Sequence, residues 1–330
     1  MFYQIEQVLD LYGLTDARTY KGRGVLICEK NQELWALKEF RGSLEQAEFW
    51  CELGRYLQEE GLPCDCIQKT LDGALTAEGP DGIRYTLHQW FRGRECDVKN
   101  RMDILMSVSH LARFHSTVRG FGASQSAPLQ QGEQILSLYQ RHNRELIKIR
   151  NYVRKRRQKN DFERLFSGCF GEFYEQCVTV EQALKQAEEA EVKGKTGICH
   201  GDFNQHNILL SANTPALIHF EKAKAGTQMT DLGNFMRKIM EKYSWEEGLG
   251  MAMIQEYDRV DPMSREDLLE LYYRLAYPEK FWKIANHYYG SNKVWISGRN
   301  TEKLQKEIRQ HRARCEYLKR LLEEVQRREY

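Results

Sequence analysis

Apolar and polar residues alternate in two short runs near the start, Arg18 to Cys28 and Leu34 to Phe40. A period of two is the mark of a half-buried strand. Gly22-Arg23-Gly24 and Asn31-Gln32 supply turns. Phe49, Leu53 and Leu57 then share one face of a helix predicted over Leu44 to Glu60, which Gly61-Leu62-Pro63 stops. Strands are predicted at Ala74 to Glu78 and Ile83 to Trp90, around the turn Gly79-Pro80-Asp81-Gly82. The pattern over 1–91 is a small β-rich region with one helix.

After Gly93 the period lengthens toward 3.6 residues, the repeat of a helix. Ile104 to His115 is predicted as an amphipathic helix, and 119–132, rich in Gly, Ser, Gln and Ala, as a loop. Two long helices follow. Ile135, Leu138, Tyr139, His142, Leu146, Ile149 and Val153 line one, and Phe162, Phe166, Phe170, Phe173, Cys177 and Leu184 the other. Short strands are expected around 198–210 and over Ala216 to Glu221, with helices thereafter. Leu304, Ile308, Cys315, Leu318, Leu322 and Val325 place an apolar stripe on the last one. The class is α+β, with 92–330 as the larger helical part.

Composition narrows the functions. The 330 residues suffice for two domains or lobes. A net charge of +2 and a mean hydropathy of −0.67 describe a chain that is no general nucleic-acid binder. The basic run Arg154-Lys155-Arg156-Arg157-Gln158-Lys159 is expected to be the solvated end of a helix. No apolar run approaches the ~20 residues of a membrane span, and MFYQIEQVLD has no secretory pattern. The nine cysteines contain no Cys-x-x-Cys pair and are expected to be free thiols.

The chemistry concentrates in Ile198 to Leu210, which contains His200-x-Asp202-x-x-x-x-Asn207. Phosphotransfer needs an acid to orient and deprotonate the attacking hydroxyl, and an oxygen ligand for Mg²⁺ five residues later. Asp202 and Asn207 have that spacing, and His200 is placed to brace the loop. Upstream, Lys38 alternates with apolar residues and is a candidate for pairing with phosphates. Glu45, Glu48 and Glu52 are available as its acidic partner, and Glu48 is the choice. Gly22 and Gly24 suit a turn over a nucleotide or an ordinary hairpin equally well.

Leu217-Ile218-His219-Phe220-Glu221 follows. On a strand His219 and Glu221 project to the same side. A kinase places a carboxylate here, and His219 offers a nitrogen that Mg²⁺ does not favour. Glu221 is then the carboxylate left to reach the metal. Zinc on His200, His206 and His219 is a weaker alternative. Thr230 or Asp231 is expected to cap the next helix.

These residues resemble the aminoglycoside phosphotransferase and choline kinase superfamily, in His200-Gly201-Asp202 through Asn207, Ile218 to Glu221 and Asp231-Leu232. Leu111 to His115, Phe235 to Lys242 and Leu275 to Lys283 bring the chain nearer to the spore coat protein CotS family of endospore-forming Firmicutes. The resemblance implies a bilobal protein-kinase-like fold with ATP and Mg²⁺. It implies Lys38 on the phosphates, Asp202 as base, Asn207 on the metal, and adenine held by the backbone around Gln89, Trp90 and Phe91. It also implies assembly onto the spore coat from the mother-cell cytoplasm, among other coat proteins, with no membrane partner.

Two functions fit these residues. One is a kinase acting on a small-molecule hydroxyl. The other is a catalytically impaired pseudokinase serving as a coat component or scaffold. Lys38, Asp202 and Asn207 favour the first, and His219 favours the second. A hydrolase fits less well, because no Ser-His-Asp or Gly-x-Ser-x-Gly pattern is present.

Overall fold

A computed structural model describes residues 2–80, 82–122, 129, 131–211, 214–290 and 297–328. The chain is mixed α+β, with a small sheet in its N-terminal region and a larger helical part. It divides into two compact units. The first is Met1–Gln131 with Gly197–Ala225 and Arg259–Asp261, and the second is Gly132–Thr196 with Gly226–Asp258 and Pro262–Tyr330.

The first unit opens with a helix, α1 (Phe2–Leu11), where the sequence suggested a β-rich start. Three strands follow, β1 (Arg18–Lys21), β2 (Leu26–Lys30) and β3 (Glu33–Glu39), and then α2 (Leu44–Glu59). Ser43 and Gln46 form a capping box at the start of α2, each side chain bonding the other's backbone N–H. The sheet is completed by β4 (Ile67–Gln68), β5 (Ala77–Glu78) and β6 (Arg84–Trp90). Its order is β1-β2-β3-β6-β4, with β5 also on β6 and every pairing antiparallel. The turn at 79–82 closes with the Gly82 N–H on the Gly79 carbonyl, 2.9 Å. Asp81 lies outside the described residues.

Alternation gives the sheet two different faces. Cys28, Leu37, Ala77 and Leu87 pack with Val8, Leu9, Tyr12 and Leu14, so α1 covers one side. Leu34, Ala36 and Lys38 project to the other, where Val25 and Ile27 join them. Burying α1 against the sheet removes apolar area from water at about 25 cal/mol per Å². That is why a ten-residue helix, marginal on its own, persists here.

Strand β7 (Arg94–Glu95) and helix α3 (Arg101–Val118) come next. Half of the expected loop at 119–132 lies outside the described residues. Helices α4 (Ile135–Lys155) and α5 (Asp161–Glu189) precede β8 (Thr196–Cys199), β9 (Ile208–Leu210), β10 (Ala216–Leu217), a 3₁₀ turn (Phe220–Lys222) and β11 (Lys224–Thr227). The predicted strand over 216–221 thus ends at Leu217. His219 turns left-handed, with φ 71° and ψ 56°, and tips Phe220 and Glu221 into the 3₁₀ turn.

The rest is helical: α6 (Met229–Met240), α7 (Glu247–Val260), α8 (Arg265–Ala276), α9 (Glu279–Gly290) and α10 (Ser297–Arg327). Within the second unit, Phe166 and Phe173 of α5 both stack on Phe281 of α9, at 5.4 and 4.6 Å between centroids. Gln228 stands at the N-cap of α6, so Asp231 lies inside its first turn and neither Thr230 nor Asp231 is the cap.

Candidate active site

The candidate residues Lys38, Gln89, Trp90, Phe91, His200, Asp202, Asn207, His219 and Glu221 all fall in the first unit. The centre is Lys38. Its Nζ donates to Asp65 Oδ2 and to Glu221 Oε1, both at 2.5 Å. Lys38 and Asp65 are buried, while Glu221 is partly open to solvent. Burial opposes the ammonium charge, but the two carboxylates outweigh it and hold the pKa of Lys38 above its ordinary value. Burial likewise opposes the Glu221 carboxylate, yet the Lys38 charge and a bond from His219 bring its pKa well below the usual range.

Asp65 is the acid that meets Lys38, not Glu48. Glu48 is exposed, as are Glu45 and Glu52. The side of α2 near Asp65 and Glu221 carries Trp50, Leu53, Gly54 and Leu57, with no carboxylate. Asp65 also accepts the backbone N–H of His219 on Oδ2 at 2.9 Å, while its Oδ1 is buried without a partner. His88, across the sheet from Ala36, places Nδ1 at 2.9 Å from the Asp65 carbonyl and Nε2 at 2.9 Å from the Thr86 hydroxyl. Burial, then the Lys38 charge, lower its pKa to about 4, so the ring is neutral at pH 7.

The loop bearing Asp202 is held by peptide packing. His200 is fully buried, with Nε2 at 3.0 Å from the Ile218 carbonyl and Nδ1 at 3.3 Å from the Asp202 N–H. A donor on one side and an acceptor on the other select the neutral Nε2–H tautomer. Gly201 has φ 78°, and a Cβ built on it would stand 1.8 Å from the Lys222 carbonyl oxygen, so only glycine fits. Asp202 Oδ1 accepts from Asn204 Nδ2 at 3.0 Å, and Oδ2 pairs with Lys222 Nζ at 2.8 Å. Asn207 donates Nδ2 to the Asp202 carbonyl at 2.8 Å, which leaves Oδ1 as the acceptor it can offer.

His219 sits beside this loop. Its Nδ1 is 3.5 Å from Glu221 Oε2, and its ring meets Trp90 edge-on at 5.7 Å. Trp90 packs on Val25, Ile27, Leu34 and Ala36 of the sheet and also on Leu209, Ala216 and Ile218. Lys38 Nζ lies 5.8 Å from its ring centroid. Phe91 joins the second cluster. Gln89 is held by its backbone on the Cys66 carbonyl and by its side chain on Gln58.

Gly22 and Gly24 form the turn between β1 and β2, closed by the Gly22 N–H on the Val25 carbonyl at 3.0 Å. Between them Arg23 pairs with Glu95 Oε1 at 3.1 Å, and Glu95 Oε2 also meets His206. His200, His206 and His219 thus have separate partners and do not gather. Among the described residues the one group with metal-ligand spacing is Asp65, His219 and Glu221, whose ligand atoms lie within 4.8 Å of one another. The Lys38 ammonium already bridges its two carboxylates.

Asp65, His88, Lys222 and Glu95 were not among the residues expected from the sequence. Asp65 had one signal, a carboxylate alone in the apolar stretch Leu62-Pro63-Cys64-Asp65-Cys66-Ile67. No helix among the described residues is long and apolar enough to cross a membrane.

Comparisons with known proteins agree with this architecture. The chain is 22% identical over 312 residues to spore coat protein S of Bacillus subtilis (strain 168), covering 92% of this chain and 88% of that one. An aminoglycoside phosphotransferase from Alicyclobacillus acidocaldarius superposes with a TM-score of 0.86 at 19% identity, over 97% of this chain and 96% of that one. The microcompartment-associated aminopropanol kinase superposes with a TM-score of 0.63 at 14% identity, over 98% of both. These likenesses establish a kinase-like phosphotransferase fold. The model of the family described as "Spore coat putative kinase YutH" matches residues 5–321. The chain belongs to that spore coat family.

Proposed function

We propose that this protein is a spore-coat-associated pseudokinase, a kinase fold that serves the coat without Mg²⁺-dependent phosphotransfer. The observation that carries this is the state of the metal corner. His219 presents a nitrogen where a carboxylate is needed, and the two carboxylates beside it, Asp65 and Glu221, are each bound to Lys38. Mg²⁺ requires near-octahedral oxygen ligation at about 2.0–2.1 Å. With Asn207 Oδ1 as the remaining neutral oxygen, the residues present do not fit that ion. Two of the three Lys38 N–H donors are taken by carboxylates, so an arriving phosphate meets a lysine with one donor left.

The family match and the likeness to spore coat protein S support the coat setting, with other coat proteins as partners. The test is calorimetry of ATP binding with and without Mg²⁺ and Mn²⁺, beside an assay of γ-phosphate release. The expected result is binding that metal does not strengthen, or no binding, and no release. Metal-dependent binding with turnover overturns the proposal. His219→Asp keeps the left-handed backbone, which Asp tolerates. It is expected to introduce metal dependence that the parent chain lacks.

The second function, ATP-dependent transfer to a small-molecule hydroxyl, is favoured by one observation. Asp202 and Asn207 are joined through the Asp202 carbonyl in a loop anchored by His200. In that function the Asp202 carboxylate would leave Lys222, which is mostly exposed, and take the acceptor's proton.

A further inference from the structure

Three buried cysteines take no part in the site above: Cys64 and Cys66, which flank Asp65 on the segment leading into β4, and Cys51 on α2. Cys51 and Cys66 are drawn to one point. Their Sγ atoms lie 3.9 and 3.6 Å from the same Ile67 carbonyl oxygen, and Cys66 Sγ is also 3.8 Å from the Cys51 carbonyl. Gly54, one turn beyond Cys51, faces Cys66 so closely that a Cβ built on it would stand 3.1 Å from Cys66 Cα. Helix and segment are therefore in direct contact beside this pair, as a disulfide between them requires.

The two thiols are unequal. The Cys66 thiol bonds to Cys51, and Arg55 Nη2 lies 3.9 Å from Cys51 Sγ. Together they overcome burial and bring the Cys51 thiol down to about 6, while its proton-sharing with Cys51 and burial push Cys66 up. The Arg55 guanidinium beside Cys51 Sγ favours its thiolate and makes Cys51 the nucleophile of the pair. Cys64 differs: it is 1% exposed, bonds the Gly54 carbonyl at 3.4 Å, and is pushed up by burial.

We propose that Cys51 and Cys66 form a reversible, peroxide-driven disulfide that staples α2 to the segment carrying Asp65. The Cys51 thiolate attacks one oxygen of hydrogen peroxide. The O–O bond breaks, hydroxide leaves and takes up a proton as water, and Cys51 becomes a sulfenic acid. The Cys66 sulfur then attacks the Cys51 sulfur, and the sulfenic oxygen departs as water with the Cys66 proton. Two thiols lose two electrons and two protons in all, and one peroxide becomes two waters. Asp65 is the residue immediately before Cys66, so the cross-link fixes the counter-ion of Lys38 to the helix beside it. No nucleotide is involved, and the cross-link stands or falls apart from the proposed function.

The test is a cysteine map of the reduced full-length chain after hydrogen peroxide, alkylation and digestion without reductant. The expected product joins the peptides of Cys51 and Cys66 with the loss of two hydrogens, and a thiol reductant reverses it. Cys64→Ser should leave the product intact and Cys51→Ser should abolish it. Should Cys51→Ser fail to fold, the map of the unaltered chain decides alone. Free Cys51 and Cys66 at peroxide levels that oxidise other cysteines overturn the proposal. A cross-link through Cys64 in the unaltered chain does the same.

Discussion

Lys38 and Asp65, 27 positions apart, meet at 2.5 Å beneath the sheet, and both are more than nine-tenths buried. A buried ammonium is tolerated only with charge partners at hand. Removing one partner of such a pair costs about 3–5 kcal/mol, because the other charge is left uncompensated. Asp65→Ala is therefore expected to lower unfolding stability by about 3 kcal/mol in chemical denaturation, with Glu221 retaining part of the pairing. Glu48→Ala, on the exposed side of α2, should stay within about 0.5 kcal/mol. Equal losses in the two variants would sink the assignment of Asp65 as the partner.

Acid should weaken the fold through His88. Its pKa is lowered from 6.5 to about 4 by burial first and by Lys38 second. Between those values the unfolded chain binds a proton that the folded chain refuses, so stability falls as pH drops through this window. The full shift corresponds to roughly 3 kcal/mol. Glu221 adds nothing in the part of that window above the ordinary carboxylate value. Its pKa is depressed, so its contribution is present above the ordinary carboxylate value and is lost only as pH falls through its lower folded value. Denaturation curves from about pH 7 to about pH 4 should flatten in His88→Gln by approximately the amount given. Unchanged pH dependence would remove His88 as the cause.

Trp90 bridges two apolar clusters. An indole and a purine are both planar bicyclic rings, so a nucleotide base seated between those clusters would compete with the Trp90 ring. Trp90→Ala is expected to raise the affinity for adenosine, measured without metal, by about tenfold, the equivalent of roughly 1.4 kcal/mol. Weaker binding in the variant would show that the indole stacks on the base instead of displacing it.

Gly201→Ala places a methyl group against the Lys222 carbonyl at a left-handed backbone position. A loss of about 3 kcal/mol or more is expected in thermal or chemical unfolding. A variant as stable as the parent would mean that the two segments can separate without cost.

What could be read in the sequence was local. Phe49, Leu53 and Leu57 marked α2, and the His200–Asp202–Asn207 spacing lies within one loop, so neither needed distant information. The helix α1 was missed although Ile5, Val8, Leu9 and Tyr12 recur at helical spacing, because its persistence depends on the sheet it covers. Asp65 was missed for a related reason. Its approach to Lys38 follows from β4 pairing with β6 and β6 with β3, a register that no short window contains. The strand expected over 216–221 failed at a single residue, His219, whose left-handed backbone alternation does not announce.

Gly201 packs against the Lys222 carbonyl, and other ties join the same two segments. The Asn207 carbonyl accepts the Ile218 N–H at 3.1 Å, and the Ile218 carbonyl faces His200. The segment carrying Asp202 and the segment carrying His219 and Glu221 are thus fastened main chain to main chain. The side chain at position 219 can be exchanged, His for Asp, while the scaffold beneath stays in register. Chemistry here is a replaceable fitting on a fixed mount, and a lineage can give it up, or take it back, without refolding the protein.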